Sequence, residues 1–227
     1  MHKHLRALAT GWIALAALLT MSSESPAAER LVVRTYETFG VPAEEMTNAR
    51  TAAALILQDA GLQAVWRDCS ADCADALGPG EVLVRIVAAA EAHGAPGAPG
   101  APGAPGAIVA GSLGCAVIDL QQAAGTLATV YADRIHVLAF RTGVNAGTLL
   151  GRAVAHEIGH LLLGTARHSA AGLMRAFWSD RELRRDVAAD WTFAREDIAR
   201  IGRGRATRSC GQCSIIAQRI PVWPTEK

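Results

Sequence analysis

The chain has 227 residues, of which 51% are hydrophobic and 19% charged, and a formal net charge of +1. That length suits one domain with a substantial apolar core and requires no second one. Basic residues are scattered except between Arg200 and Arg208, which leaves no footprint for nucleic acid; Arg203-Gly204-Arg205 reads as a solvated loop.

Residues 1–27 carry a basic start (His2 to Arg6), an apolar run from Ala7 to Met21 and small residues at Ser25 and Ala27. This is the pattern of a signal peptide cleaved after Ala27, with a retained anchor as the alternative, and the remaining chain, 28–227, is expected outside the cytoplasm as a secreted or periplasmic protein. The run is short for a membrane span and no later segment is long enough to be one, so no membrane association is expected after cleavage. Five cysteines suit an oxidising compartment. The simplest pairing is Cys69 with Cys73 and Cys210 with Cys213, leaving Cys115 buried and free; Cys210-Gly211-Gln212-Cys213 also has the form of a redox or metal motif.

Leu31 to Tyr36 reads as a first strand. Pro42 then opens a helix with Glu44 and Glu45 in its first turn, where negative charge is favoured, and Ala49, Ala52, Ala53, Leu55 and Ile56 as its apolar face up to Gly61. Leu62 to Arg67 alternates like a half-buried strand, and Glu81 to Val87 is the clearest strand of the chain. Between Gly94 and Ala107 a Gly-Ala-Pro repeat cannot pack a core and is expected to form a polyproline-leaning surface loop. Cys115–Asp119 and Leu127–Tyr131 read as two more strands, with the turn between Gln121 and Gly125. Asp133 to Phe140 is either a short helix or the approach to the next one, and His136 in it reads as a half-buried histidine with a local hydrogen bond.

The next helix carries the chemistry. Ala146, Leu149, Leu150, Ala153, Val154, Ile158, Leu161 and Leu162 recur at three- and four-residue steps, giving a helix with a wide apolar face. Within it stands His156-Glu157-Ile158-Gly159-His160, an H-E-x-x-H motif. Residues i and i+4 lie one above the other, so both imidazoles can converge on one metal ion, expected to be Zn2+. Glu157 projects about a quarter turn round the helix, near the metal but outside its coordination sphere, where a general base can take a proton from water activated by the ion. Gly164 comes where a left-handed residue ends a helix, so the chain can turn back beneath the metal.

After Gly164 come His168-Ser169 and Gly172-Leu173-Met174-Arg175. Here the sequence resembles the metzincin metallopeptidases, and more closely a group of secreted bacterial proteins with H-E-[IL]-G-H-L-L-L-G-x-x-x-H-S-x-x-G-[IL]-M-R. The resemblance implies His156, His160 and His168 as zinc ligands, Glu157 as catalytic base and Met174 as the methionine under the metal. It departs from the usual metzincin spacing, because Gly164 and His168 both stand later after His160. It also implies that the edge strand runs antiparallel and borders the substrate cleft, for which the hairpin of the fourth and fifth strands is the candidate.

A rival third ligand comes from Glu182 and Asp186, whose E-x-x-x-D spacing is how gluzincin-type proteases supply a carboxylate; the alternative is an exposed charged helix. Trp178 and Trp191 are expected to fill the floor of the lower part, before a helix from Ala194 to Ile201 and a tail over 202–227. The expected fold is α/β (α+β), a metzincin-like mixed twisted sheet with a zinc-site helix and a small C-terminal subdomain. The expected function is zinc-dependent hydrolysis of peptide or protein substrates, endopeptidase rather than exopeptidase. The rivals are a non-enzymatic exported zinc-binding or interaction protein, and an adhesin in which the Gly-Ala-Pro loop is the working part.

Overall fold

The computed structural model describes residues 28–69, 73–89 and 112–211, with side chains as far as 204. The expected leader, the Gly-Ala-Pro segment and the Cys210/Cys213 pairing lie outside the described residues and side chains. The chain runs β1 (Glu29–Glu37), α1 (Ala43–Asp59), β2 (Leu62–Asp68), β3 (Glu81–Val87), β4 (Gly114–Asp119), β5 (Ala124–Tyr131), α2 (Ala132–Thr142), α3 (Ala146–Leu163), α4 (Asp180–Arg185), a 3-10 turn (Ala188–Trp191) and α5 (Arg195–Gly211). The architecture is mixed α/β, as expected.

The five strands form one sheet in the order β2-β1-β3-β5-β4. β1 is parallel to β2 and β3, and β3 to β5, while β4 closes the edge antiparallel to β5. Strand alternation explains the core: Leu31, Val33, Val82, Val84, Ile86, Ala128 and Val130 all turn to the face that carries the helices. On the opposite face Val87, Ala89 and Tyr131 make a smaller cluster with Cys115. The hairpin turn is shorter than expected, because Ala124 and Gly125 belong to β5. A side chain at Gly125 would meet the Val117 carbonyl at 2.5 Å and Leu161 at 2.7 Å, so only glycine lets α3 and β4 approach there.

α1 begins after Pro42 with Glu44 and Glu45 in its first turn, and buries Ala49, Ala53, Ile56 and Leu57. α2 is a full helix rather than an approach, and Gly143 in the left-handed conformation ends it. Asn145 caps α3 by accepting from the Thr148 N–H at 2.9 Å. From Leu149 to Leu162 every residue of α3 is buried, so it is the central helix rather than an amphipathic cover. α1 and α3 touch almost backbone to backbone: a Cβ at Gly151 would fall 2.3 Å from the Ala49 carbonyl.

Below α3 the chain packs around two indoles. Trp178 and Trp191 are both buried and meet edge to face, 5.4 Å between centroids. Arg152 of α3 lies over the Trp191 ring at 4.0 Å and is ion-paired with Asp186. α5 continues past Ile201 to Gly211, so Arg203-Gly204-Arg205 is helical and not the expected loop, and the tail begins later than 202. Cys69 is bonded to Cys73 and Cys115 is free, as expected, although Cys115 is only half-buried. Among the described residues no helix is long and apolar enough to cross a membrane.

Candidate metal centre

His156 and His160 stand one turn apart on α3, with their Nε2 atoms 3.1 Å from each other. Each ring is held by its other nitrogen. His156 Nδ1 is 2.9 Å from the Leu173 carbonyl and His160 Nδ1 is 2.8 Å from the Thr165 carbonyl. A carbonyl can only accept, so both Nδ1 atoms must carry the proton and both Nε2 atoms must present lone pairs. Two lone pairs at that separation repel unless a cation lies between them.

A proton is a poor candidate for that cation. Burial pushes His156 down to about 3, helped by the neighbouring His160, and burial likewise lowers His160 and His168. At neutral pH all three imidazoles are uncharged. A tetrahedral ion with nitrogens at about 2.0–2.1 Å sets its ligands roughly 3.3 Å apart, close to the observed pair. His168 completes the group, its ring 4.9 Å from His160 and 5.4 Å from His156 by centroids. The ligand nitrogens of all three histidines lie within 4.8 Å of one another, so they could hold a metal ion. His168 differs from the other two in being exposed.

The loop after α3 delivers the carbonyls and the third histidine. Gly164 takes the left-handed conformation and its N–H returns to the His160 carbonyl. A Cβ there would lie 1.8 Å from the Ala123 carbonyl of the β4–β5 turn, so glycine is required by both conformation and space. The segment then folds on itself: the Ser169 N–H donates to the Met174 carbonyl at 2.8 Å, and the Leu173 N–H to the Thr192 carbonyl at 2.7 Å. Met174 is fully buried beneath the motif, where a Cβ on Gly159 would meet its sulfur at 2.5 Å. The Leu173 carbonyl is shared, since the indole N–H of Trp178 also donates to it at 3.3 Å while the Trp178 ring meets His156 edge to face.

Glu157 faces the sheet. It is 6% exposed, and burial pushes its carboxyl up to about 8. Among the described residues it has no hydrogen-bond partner, and the main chain of Gly114 at the start of β4 lies directly against it. β4 is the antiparallel edge strand, so the edge of the sheet and the carboxylate meet at the same place.

The remaining candidates lie elsewhere. Glu182 closes a capping box with Ser179 and sits 3.6 Å from Arg175, and Asp186 is taken by Arg152; neither joins the histidine cluster. Their spacing reads as helix capping and ion pairing, because α4 ends at Arg185 and Asp186 has already left the helix. His136 is half-buried, but its partner is Glu45 of α1 at 2.7 Å rather than a local group. Thr165, Gly114 and Asp197 also shape the site, and no local sequence pattern pointed to them, since each acts through a contact made by the fold; Leu173 stood in the quoted motif and Trp178 was expected in the floor, but neither was expected beside His156. No protein-family model matches this chain, and no curated protein matches its sequence.

Proposed function

We propose that this chain is a zinc-dependent hydrolase of peptide bonds, with His156, His160 and His168 as ligands and Glu157 as general base. The observation that carries the reading is the pair of opposed Nε2 lone pairs, each fixed by a carbonyl on the far side of its ring. Such second partners set tautomer and ring angle in metal sites. Nitrogen donors in this number suit zinc, and three protein ligands leave a position open.

Zinc held there would supply Lewis acidity, bringing the pKa of a water to about 7 and polarising a carbonyl. The chain's own groups do the rest. Glu157 accepts the water's proton on its carboxylate as the water oxygen attacks the peptide carbon, then returns it to the departing amine nitrogen. Its burial keeps the carboxylate out of bulk water, so a water held beside it has little competition for it. Among the described residues no strand pairs with the outer edge of β4 beside Glu157, and its backbone N–H and C=O groups suit an extended polypeptide substrate bound along its length. The order of antiparallel edge strand, motif and buried methionine supports a metzincin-like reading.

Elemental analysis of the purified protein, with cleavage of a peptide library before and after chelation, tests the reading. About one zinc per chain and chelator-sensitive cleavage are expected. Zinc without cleavage would leave a non-enzymatic zinc-binding protein, and no metal after reconstitution would end the proposal.

A further inference from the structure

Asp197 is a buried carboxylate that the proposed chemistry does not use. It stands in the first turn of α5, is 2% exposed, and accepts the Ser169 hydroxyl at 2.7 Å on Oδ2. Among the described residues no arginine, lysine or histidine forms an ion pair with it. A carboxylate removed from water with one neutral donor is costly, and the α5 dipole offsets only part of that cost. Buried charges are retained where an opposite charge compensates them.

The contacts of Ser169 show where that charge is needed. Ser169, held by Asp197, directly follows His168, and the other contact of Ser169 ties the same loop to Met174. The carboxylate is therefore hydrogen-bonded into the loop that carries the third histidine. A dication among three neutral imidazoles leaves two positive charges in a largely buried site, and only Glu157 is on the ligands' own helix to balance them.

We propose that Asp197 is a positioning residue and counter-charge for the metal centre: through Ser169 it fixes the loop that presents His168, and its negative charge favours a dication there. This rests on the metal-binding reading above. It assigns α5, which has no residue in the H-E-x-x-H motif, a part in holding the metal.

The test compares the full chain with Asp197→Asn, Asp197→Ala and Ser169→Ala, using competitive zinc titration and the visible spectrum of the cobalt(II)-substituted protein. Asp197→Asn still accepts from Ser169 but lacks the charge. It should keep the native cobalt spectrum while zinc affinity falls by about tenfold or more, the low end of what outer partners of metal ligands contribute. Ser169→Ala and Asp197→Ala should change the cobalt spectrum itself, because His168 is no longer held in place. Native zinc affinity in Asp197→Asn would overturn the counter-charge, and a native spectrum in Ser169→Ala would overturn the positioning role. Those two variants decide the matter even if Asp197→Ala fails to fold. A native chain that takes up neither metal refutes the metal-binding reading instead, whatever the variants do.

Discussion

At the start of β4 the main chain of Gly114 passes so close to Glu157 that a methyl group on Gly114 would fall 2.8 Å from both Cγ and Oε1 of the carboxylate side chain. The same methyl would stand 2.7 Å from the Thr129 carbonyl, a backbone atom of the neighbouring strand that cannot swing aside. The strand edge and the carboxylate are thus fitted to each other. Gly114→Ala is expected to displace Glu157 and lower hydrolysis by more than tenfold, with overpacking costing about 1–3 kcal/mol of stability. Metal content should stay native, because the nearest neighbours of a methyl there are Thr129 and Glu157 rather than the histidines. Native turnover in a folded Gly114→Ala protein would show that the strand does not set the carboxylate.

Glu157→Gln should keep the zinc and lose at least about a hundredfold in hydrolysis, the low end for removing a general base. The side chain is nearly isosteric and has no hydrogen-bond partner among the described residues, so little else should change. Turnover and metal content measured on the same sample separate loss of chemistry from loss of the ion.

The metal-free protein should have a stability maximum in mildly acidic solution. His156 is lowered from 6.5 to about 3, so the unfolded chain binds the extra proton between those values and stability rises with pH there. Glu157 is raised from 4.5 to about 8, so the folded chain holds the extra proton and stability falls as pH rises through that window. The two oppose each other between about 4.5 and 6.5, leaving a net decline above 6.5 of the order of 1–2 kcal/mol. Urea titrations at several pH values on chelated protein check this. The decline should vanish in Glu157→Gln, and its persistence there would assign it to another group.

His168→Ala is expected to weaken zinc binding by tenfold or more and abolish activity, whereas Glu182→Ala should change both by less than a few-fold. Glu182 is engaged with Ser179 and Arg175, away from the cluster, so its loss should appear as a modest drop in melting temperature from the broken cap. The reverse pattern in competitive titration would make the third ligand a carboxylate.

The helical elements and the motif were legible because their signals are local. His156 and His160 are four residues apart on one helix with Glu157 between them, and the apolar spacing around them is enough to make that helix and bury it. The fold has an antiparallel edge strand, and Met174 is buried against Gly159 of the motif. The expectations that moved were those about ends and partners: α5 runs on past Ile201, and His136 reaches across to Glu45. A helix end depends on what caps or packs against it, and an isolated histidine is compatible with many partners.

What the sequence by itself determined is the set of groups: two imidazoles and a carboxylate on one buried helix, with a third histidine a short loop away. What only the tertiary structure decided is how that set is held. The Leu173 carbonyl that fixes the His156 tautomer is 17 residues along the chain, and Asp197 is 28 residues from the serine it anchors. The glycine that makes room for Glu157 belongs to a strand formed before the helix begins. Periodicity carries information over one or two turns of chain, whereas these contacts exist only once the sheet, α3 and α5 have packed together. The histidines of the cluster can therefore be read from the chain, but their tautomers, the close approach of β4 and the burial of Asp197 come from the packing.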